Sequence, residues 1–101
     1  MRRVLSDEAH WEAADGLIWT HFDDSDDRVV FHPQSGDVHL VSAAAYLLWT
    51  LLAEHTGSTL AQLTDSLAAA LDRPGDAQLG AATSEALTFM DRTGLIRPRS
   101  R

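Results

Sequence analysis

The sequence predicts a small α+β domain, in which a three-stranded antiparallel sheet is followed by a three-helix bundle in a winged helix-turn-helix-like arrangement. Two observations predict this class. Strand-forming residues occur in three short runs, two of them clearly alternating, before residue 42, and turn residues separate the runs. From residue 43 onward the apolar residues recur every three or four positions, which is the period of helices. Amphipathic helices that follow such a sheet are expected to pack on one of its faces.

Length and composition limit the classes of function. The chain has 101 residues, 45% of them apolar, which favours a single folded domain. Its formal net charge is −7 and all eight basic residues are Arg, so no general attraction to nucleic acid is expected. The absence of cysteine excludes disulfides, thiolate metal sites and a thiol nucleophile, and it fits the cytoplasmic location that we expect. No apolar run approaches about 20 residues, so no membrane partner is expected.

The chain divides into three parts by composition. Residues 1–16 are polar with scattered apolar positions, and we interpret them as a flexible N-terminal arm that Trp11 could pin to the domain. Residues 17–98 form the predicted folded domain. Residues 99–101 form a short basic tail that is expected to fray.

The predicted strands cover residues 17–22, 28–32 and 37–41. An acidic turn at residues 23–27 separates the first two, and the sequence Pro-Gln-Ser-Gly at residues 33–36 is typical of a tight turn between the second and third. If that turn pairs His32 with Asp37, Phe31 lies opposite Val38 on a face that also carries Val29 and Leu40. Because this face is wholly apolar and the other is mixed, the apolar face is expected to cover the core.

Three helices are predicted after the sheet. Ser42 is a good N-cap for a helix over residues 43–55. Thr59 and Gln62 form a capping-box pattern at the start of a second helix, which Pro74 and Gly75 end. A third helix is expected over residues 76–93. Gly94 has the position of a left-handed C′ residue, with a short final strand after it at residues 95–98.

Motifs for catalysis are not apparent in this sequence. No serine lies in a nucleophile elbow and the six glycines are isolated, so neither a catalytic residue nor a cofactor is expected. Two imidazoles and a carboxylate on one predicted strand face, His32, Asp37 and His39, could hold a metal ion in a metal-dependent enzyme. The predicted register places the two histidines two residue pairs apart, so metal binding is not the favoured interpretation.

DNA binding is an alternative, since two tight helix connections are compatible with a winged helix-turn-helix regulator. The third helix would then enter the major groove. Its charged positions are three acids and one base: Asp76, Glu85, Asp91 and Arg92. Productive phosphate contacts come from several Lys and Arg residues, so this helix is poorly suited to a polyanion.

An open sheet edge is the most informative predicted feature. If strand 37–41 is an edge beside the third helix, a peptide can add to it by backbone hydrogen bonds while helix side chains read its residues. The same edge can pair with a second copy of the chain, so a homodimer is possible. The candidate peptide-binding residues are Asp37, Val38, His39, Leu40 and Val41 of the strand, with Glu85, Phe89 and Arg92 of the helix.

These residues also carry a resemblance to a known family. The stretch VVFHPQSGDVHLV at residues 29–41 resembles the hairpin of PqqD-like proteins, and the later motifs LAQL at 60–63 and GLI at 94–96 fit the same family. The pattern SGDVHL, with Trp19 and Phe22 before it, most resembles the HPr-rel-A system branch. The resemblance covers residues 17–98.

The resemblance implies a RiPP recognition element, a winged-helix domain that is not catalytic. Such a domain acts as a peptide chaperone: it binds the leader of a precursor peptide and presents the peptide to a modifying enzyme. For this branch the partner implied is a modifying enzyme or an HPr-kinase-related protein, with no catalytic residue and no cofactor to transfer. Given the acid excess of this chain, a guest peptide or partner enzyme with a basic contact surface is expected.

Overall fold

The computed structural model describes residues 9–99, which form five strands and three helices. Strands β2, β3 and β4 make one antiparallel sheet in that order, so β2 and β4 are its edges. The three helices follow this sheet directly, and the predicted α+β class is therefore confirmed. The elements are β1 (Trp11–Ala13), β2 (Ile18–His21), β3 (Arg28–His32), β4 (Asp37–Val41), α1 (Ala43–Glu54), α2 (Leu60–Leu71), α3 (Ala77–Arg92) and β5 (Ile96–Pro98).

The β3–β4 hairpin has the predicted register. His32 pairs with Asp37, and Phe31 pairs with Val38. In the turn, the His32 carbonyl accepts hydrogen bonds from the backbone N–H groups of Ser35 and Gly36, at 3.2 and 2.7 Å. Gly36 has φ +79°, a left-handed conformation that glycine adopts without steric cost.

The prediction of which sheet face covers the core was wrong. The mixed face meets the helices: Val30 and Val41 on this inner face are 0% and 1% exposed. On the apolar outer face, Val38 and Leu40 are 61% and 55% exposed. Alternation along a strand shows which residues share a face, but it does not show which face the following helices will cover.

The inner face accommodates its polar residues by placing them against aromatic rings. The Arg28 guanidinium lies 4.6 Å from the ring centroid of Tyr46 on α1, a cation–π contact. Trp19 of β2 packs against both Tyr46 and Trp49, with centroid distances of 4.8 and 4.9 Å. These contacts explain how a face with charged and polar members can pack on helices.

The predicted N-terminal arm, residues 1–16, needs correction where the structure describes it. Residues 11–13 form β1, which pairs antiparallel with β5, and Trp11 is 1% exposed. The Trp11 backbone N–H donates to the carbonyl of Ser58, which precedes α2. The first eight residues of the predicted arm and the last two residues of the predicted tail lie outside the described residues. Arg99, the first residue of that tail, donates its backbone N–H to the His10 carbonyl.

The helix starts agree with the predicted caps. Ser42 Oγ accepts from the Ala45 N–H, and Thr59 forms a complete capping box with Gln62. Helix α2 ends at Leu71, before the predicted stop at Pro74, because Asp72 takes the left-handed conformation, with φ +53°. Gly94, with φ +80°, follows α3 as predicted.

The main core lies between the sheets and the three helices. Its fully buried apolar side chains from α1 onward are Leu48, Leu52, Leu63, Leu87, Met90, Leu95 and Ile96. A smaller cluster joins α2 to the start of α3 through Leu67, Ala68 and Leu79. Within residues 9–99, no helix is both long enough and apolar enough to cross a membrane.

Candidate functional site: a groove between an edge strand and a helix

Strand β4 is an edge of the three-stranded sheet, and β3 is its neighbour there. In an antiparallel pair, alternate residues direct their backbone N–H and C=O groups away from the neighbouring strand. An edge strand therefore offers a row of hydrogen-bonding groups to an incoming strand. Within the described residues, this edge is therefore a candidate for strand addition.

Helix α3 supplies the second wall of the groove. The ring of Phe89 on α3 meets the ring of His39 on β4 edge to face, with centroids 6.3 Å apart and planes at 85°. Both side chains are partly buried. The His39 Nε2 atom is buried and has no hydrogen-bond partner within residues 9–99. An unpartnered buried polar atom is costly. Nε1 of Trp11, Nε1 of Trp19 and Nδ1 of His32 are likewise buried without a partner in the described residues, so this feature is not particular to the groove.

The other predicted residues of α3 lie on the same side of the helix. Glu85, Phe89 and Arg92 are spaced by four and three positions, which places them in one row. Glu85 and Arg92 are exposed, whereas Phe89 packs against the main core. The row thus places an apolar ring between a carboxylate and a guanidinium.

The predicted residues of β4 divide between three environments. Val38 and Leu40 lie on the exposed outer face, away from α3. Val41 is buried in the core, so it can offer a guest its backbone but no side chain. Asp37 is exposed at the hairpin end of the strand. Of the eight predicted residues, only the side chains of His39 and Phe89 are shown in contact across the groove.

A pocket between the three helices, next to Ser42 after the end of β4, was not predicted from the sequence. It has a volume of about 330 Å³, and its lining includes Leu48 of α1, Leu67 of α2, and Ala82 and Ala86 of α3. Ala82, Ala86 and Phe89 are spaced by four and three residues, so one stripe of the helix joins the pocket to the His39 contact. The small residues of this stripe are visible in the sequence, but alanines at helical spacing do not distinguish a pocket from a packed core.

The metal-site alternative finds no support in the geometry. His32, Asp37 and His39 share the inner face, as predicted, with His32 and Asp37 paired across the hairpin. Within the part of the chain that the structure describes, no group of three His, Cys, Asp or Glu side chains is placed to hold a metal ion. His39 instead packs against Phe89.

The fold and the groove together define a class of protein: a winged helix-turn-helix-like domain with a sheet edge open to an added strand. The chain belongs to the PqqD family, because residues 27–96, more than half of its length, match the family described as coenzyme PQQ synthesis protein D. The match runs from the start of the β3–β4 hairpin to Ile96, so it includes both walls of the groove.

A solved structure shares the fold. The chain is similar to TbiB1, solved in complex with the TbiA(beta) leader peptide, with a TM-score of 0.66 and 20% identity. The similarity covers 89% of this chain and 99% of that one. Comparison with curated proteins finds no match.

Proposed function

We propose that this protein is a non-catalytic peptide chaperone, a RiPP recognition element that binds the leader of a precursor peptide and presents the peptide to a modifying enzyme. The observation that carries the proposal is the contact between His39 and Phe89, which joins an open strand edge to the wall of a helix. The guest adds to β4 as a further strand and packs against α3. Residues Asp37, His39, Glu85, Phe89 and Arg92 face it with their side chains, while the remaining residues of β4 contribute backbone groups.

Alternation in the added strand divides the guest into two sets of side chains. One set points inward, onto His39 and Phe89 and toward the pocket lined by Ala82 and Ala86. The other set points outward, in line with Val38 and Leu40. Backbone hydrogen bonds supply sequence-independent affinity, and the inward set supplies specificity. A guest with apolar residues at alternate positions fits this groove best.

Charge favours a guest with basic residues near its apolar ones. The chain carries a formal charge of −7, and Asp37 and Glu85 are exposed along the groove. Complementary charge mainly raises the association rate and selects among partners. Arg92 lies at the other end of the α3 row, where a guest carboxylate is the favoured neighbour.

Family membership and the fold of TbiB1, whose structure holds a leader peptide, support this proposal. Members of this kind assist a biosynthetic enzyme, and no chemical step is assigned to this chain. DNA binding is not favoured, since α3 carries Glu85 on the row that faces the groove and a net acidic chain repels phosphate.

The test is a titration of ¹⁵N-labelled protein with synthetic leader peptides from precursor genes that neighbour its own gene. We expect amide shifts to concentrate in β4 and α3, with few in α2. As a matched control, Phe89→Ala should reduce the affinity, whereas Thr88→Ala, an exposed neighbour on the same helix, should leave it unchanged. Shifts that are spread away from β4 and α3 would contradict the groove.

One motif supports a more specific proposal for the class of the partner enzyme. The pattern SGDVHL at residues 35–40, with Trp19 and Phe22 in the preceding hairpin, supports the HPr-rel-A branch and thus an HPr-kinase-related partner. Copurification of the two separately expressed proteins, in the presence of the leader peptide, tests this assignment. Binding to a radical-SAM enzyme instead would place the chain in another branch.

A further inference from the structure

The outer face of the three-stranded sheet carries no charged side chain. It consists of every second residue of β2, β3 and β4, together with Phe22 just beyond β2: Ile18, Thr20, Phe22, Val29, Phe31, Val38 and Leu40. Six of these seven are apolar, and five are at least 38% exposed: Ile18 56%, Phe22 48%, Phe31 38%, Val38 61% and Leu40 55%.

The register makes these side chains contiguous. Ile18, Phe31 and Val38 stand opposite one another across the three strands. Thr20, Val29 and Leu40 form the adjacent row. Side chains opposite one another on neighbouring strands are in contact range, so the residues make one patch. A contiguous exposed apolar patch on a small domain usually marks an interaction surface.

We propose that this outer face docks the peptide-modifying enzyme, through an enzyme surface that is apolar at its centre and basic on one side. The inference rests on the proposed function, because the occupant is the enzyme that receives the guest. The face is opposite to the helices and is separate from the side chains that line the groove. It therefore remains open when a peptide lies between β4 and α3.

Charge at the margin of the face selects this occupant over a second copy of the chain. The turn between β2 and β3 carries four acids, of which Asp23, Asp24 and Asp26 are exposed. Arg28, the base nearest this turn in sequence, is on the inner side, where its guanidinium donates to the Asp26 carbonyl and stacks on Tyr46. Two copies with a charge of −7 each would repel, whereas a basic enzyme surface would be attracted.

Area also disfavours a dimer through this face alone. Strands β2, β3 and β4, of four, five and five residues, span at most roughly 17 by 14 Å, or about 240 Å². A stable interface needs about 800 Å² on each partner. The remaining interface area must come from surfaces outside the sheet, and the bound guest peptide supplies part of that area. A strand added at β4 extends the sheet and places its outward side chains beside Val38 and Leu40. The enzyme therefore binds the peptide-loaded chain more tightly than the free chain.

The test uses a double variant at two outer-face positions that are not on the edge strand β4, Ile18→Ser with Phe31→Ser, which form a cross-strand pair. The matched control is Ile18→Val with Phe31→Tyr, which keeps most of the apolar area at the same positions. The full-length chain is immobilised, with and without saturating leader peptide. The probes are the purified enzymes that are encoded beside the gene of this protein. The enzyme of interest is the one that changes the mass of the precursor peptide.

We expect the serine variant to bind the leader peptide as the wild type does, but to bind the enzyme at least tenfold more weakly. The control should retain enzyme binding, and the peptide should strengthen it. Unchanged enzyme affinity in the serine variant, or no binding by any of the enzymes, would overturn the docking face while the peptide chaperone remains. A wild-type chain that fails to bind leader peptide would overturn both.

Analytical ultracentrifugation of the same proteins tests whether a second copy of the chain, instead of the enzyme, binds to the outer face. We expect the wild-type chain to sediment as a monomer over the concentrations used for enzyme binding. A wild-type dimer that the serine variant dissociates would show that the face is a homodimer interface, and would overturn its assignment to the enzyme.

Discussion

The rings of His39 and Phe89 meet edge to face with their centroids 6.3 Å apart, and this contact connects the last strand of the sheet to the last helix. The two residues are distant in sequence, and each lies on one of the two walls of a single candidate groove. Strand β4 alone would be an ordinary open edge, and α3 alone an ordinary amphipathic helix. If a guest adds to β4 as proposed, this contact would make the edge selective, because the added strand would also pack against α3.

Replacing Phe89 by alanine should weaken guest binding about tenfold, since a partly buried aromatic at the centre of an interface is worth ~1.4 kcal/mol or more. Isothermal titration with the leader peptide measures the loss. Thr88→Ala is the control, and circular dichroism shows whether both variants keep the helical content of the wild type. Equal affinities for Phe89→Ala and Thr88→Ala would remove Phe89 from the site.

Proline at Val38 and at His39 should have opposite consequences. Adjacent residues of an edge strand direct their N–H groups to opposite sides, one toward β3 and one toward solvent. Proline removes the N–H in each case. We expect one variant to lose stability and the other to remain folded but bind the guest about tenfold more weakly, a change of ~1.4 kcal/mol.

Urea denaturation and peptide titration together separate these two outcomes. His39→Ala serves as the control for loss of the imidazole. If both proline variants fold and bind as the wild type does, the guest does not add to β4 as a strand.

Replacing His39 by leucine should stabilise the fold by about 1 kcal/mol, because the buried Nε2 atom has no hydrogen-bond partner within the described residues. Leucine fills similar space without a polar atom to bury. The midpoint of urea denaturation should therefore rise. His21→Leu, at an exposed position of β2, should change the free energy of unfolding by less than about 0.5 kcal/mol. A destabilised His39→Leu variant would show that the favourable contacts of the imidazole, including its ring contact with Phe89, outweigh the cost of the unpartnered Nε2.

Replacing Trp11 by alanine should destabilise the protein by about 3–5 kcal/mol, as expected for removing a fully buried aromatic side chain. Glu12→Ala is the control: its carboxylate lies 3.6 Å from the Arg97 Nε in a partly exposed ion pair, worth about 1 kcal/mol or less. Chemical denaturation of the three proteins measures the difference. Similar stabilities for both variants would mean that β1 is dispensable, as a flexible arm would be.

The hairpin and the helix caps were predictable because they depend on neighbouring residues. The turn before Asp37 sets the pairing of β3 with β4, and Thr59 with Gln62 sets the start of α2. The strand and the helix on either side of the candidate groove were predictable for the same reason, because each could be placed from local pattern. The pocket at Ala82 and Ala86 was not, because small residues on a helix face are equally common in a core.

By itself, the sequence determined the order of the elements, the register of the hairpin and the membership of each strand face, all of which follow from local periodicity. Only the tertiary structure decided which face is buried. Arg28 can lie against Tyr46 and His39 against Phe89, so the mixed face packs on the helices and the apolar face remains exposed. It also decided that Trp11 joins the core through β5, because pairing between the two ends of a chain leaves no local periodicity to read.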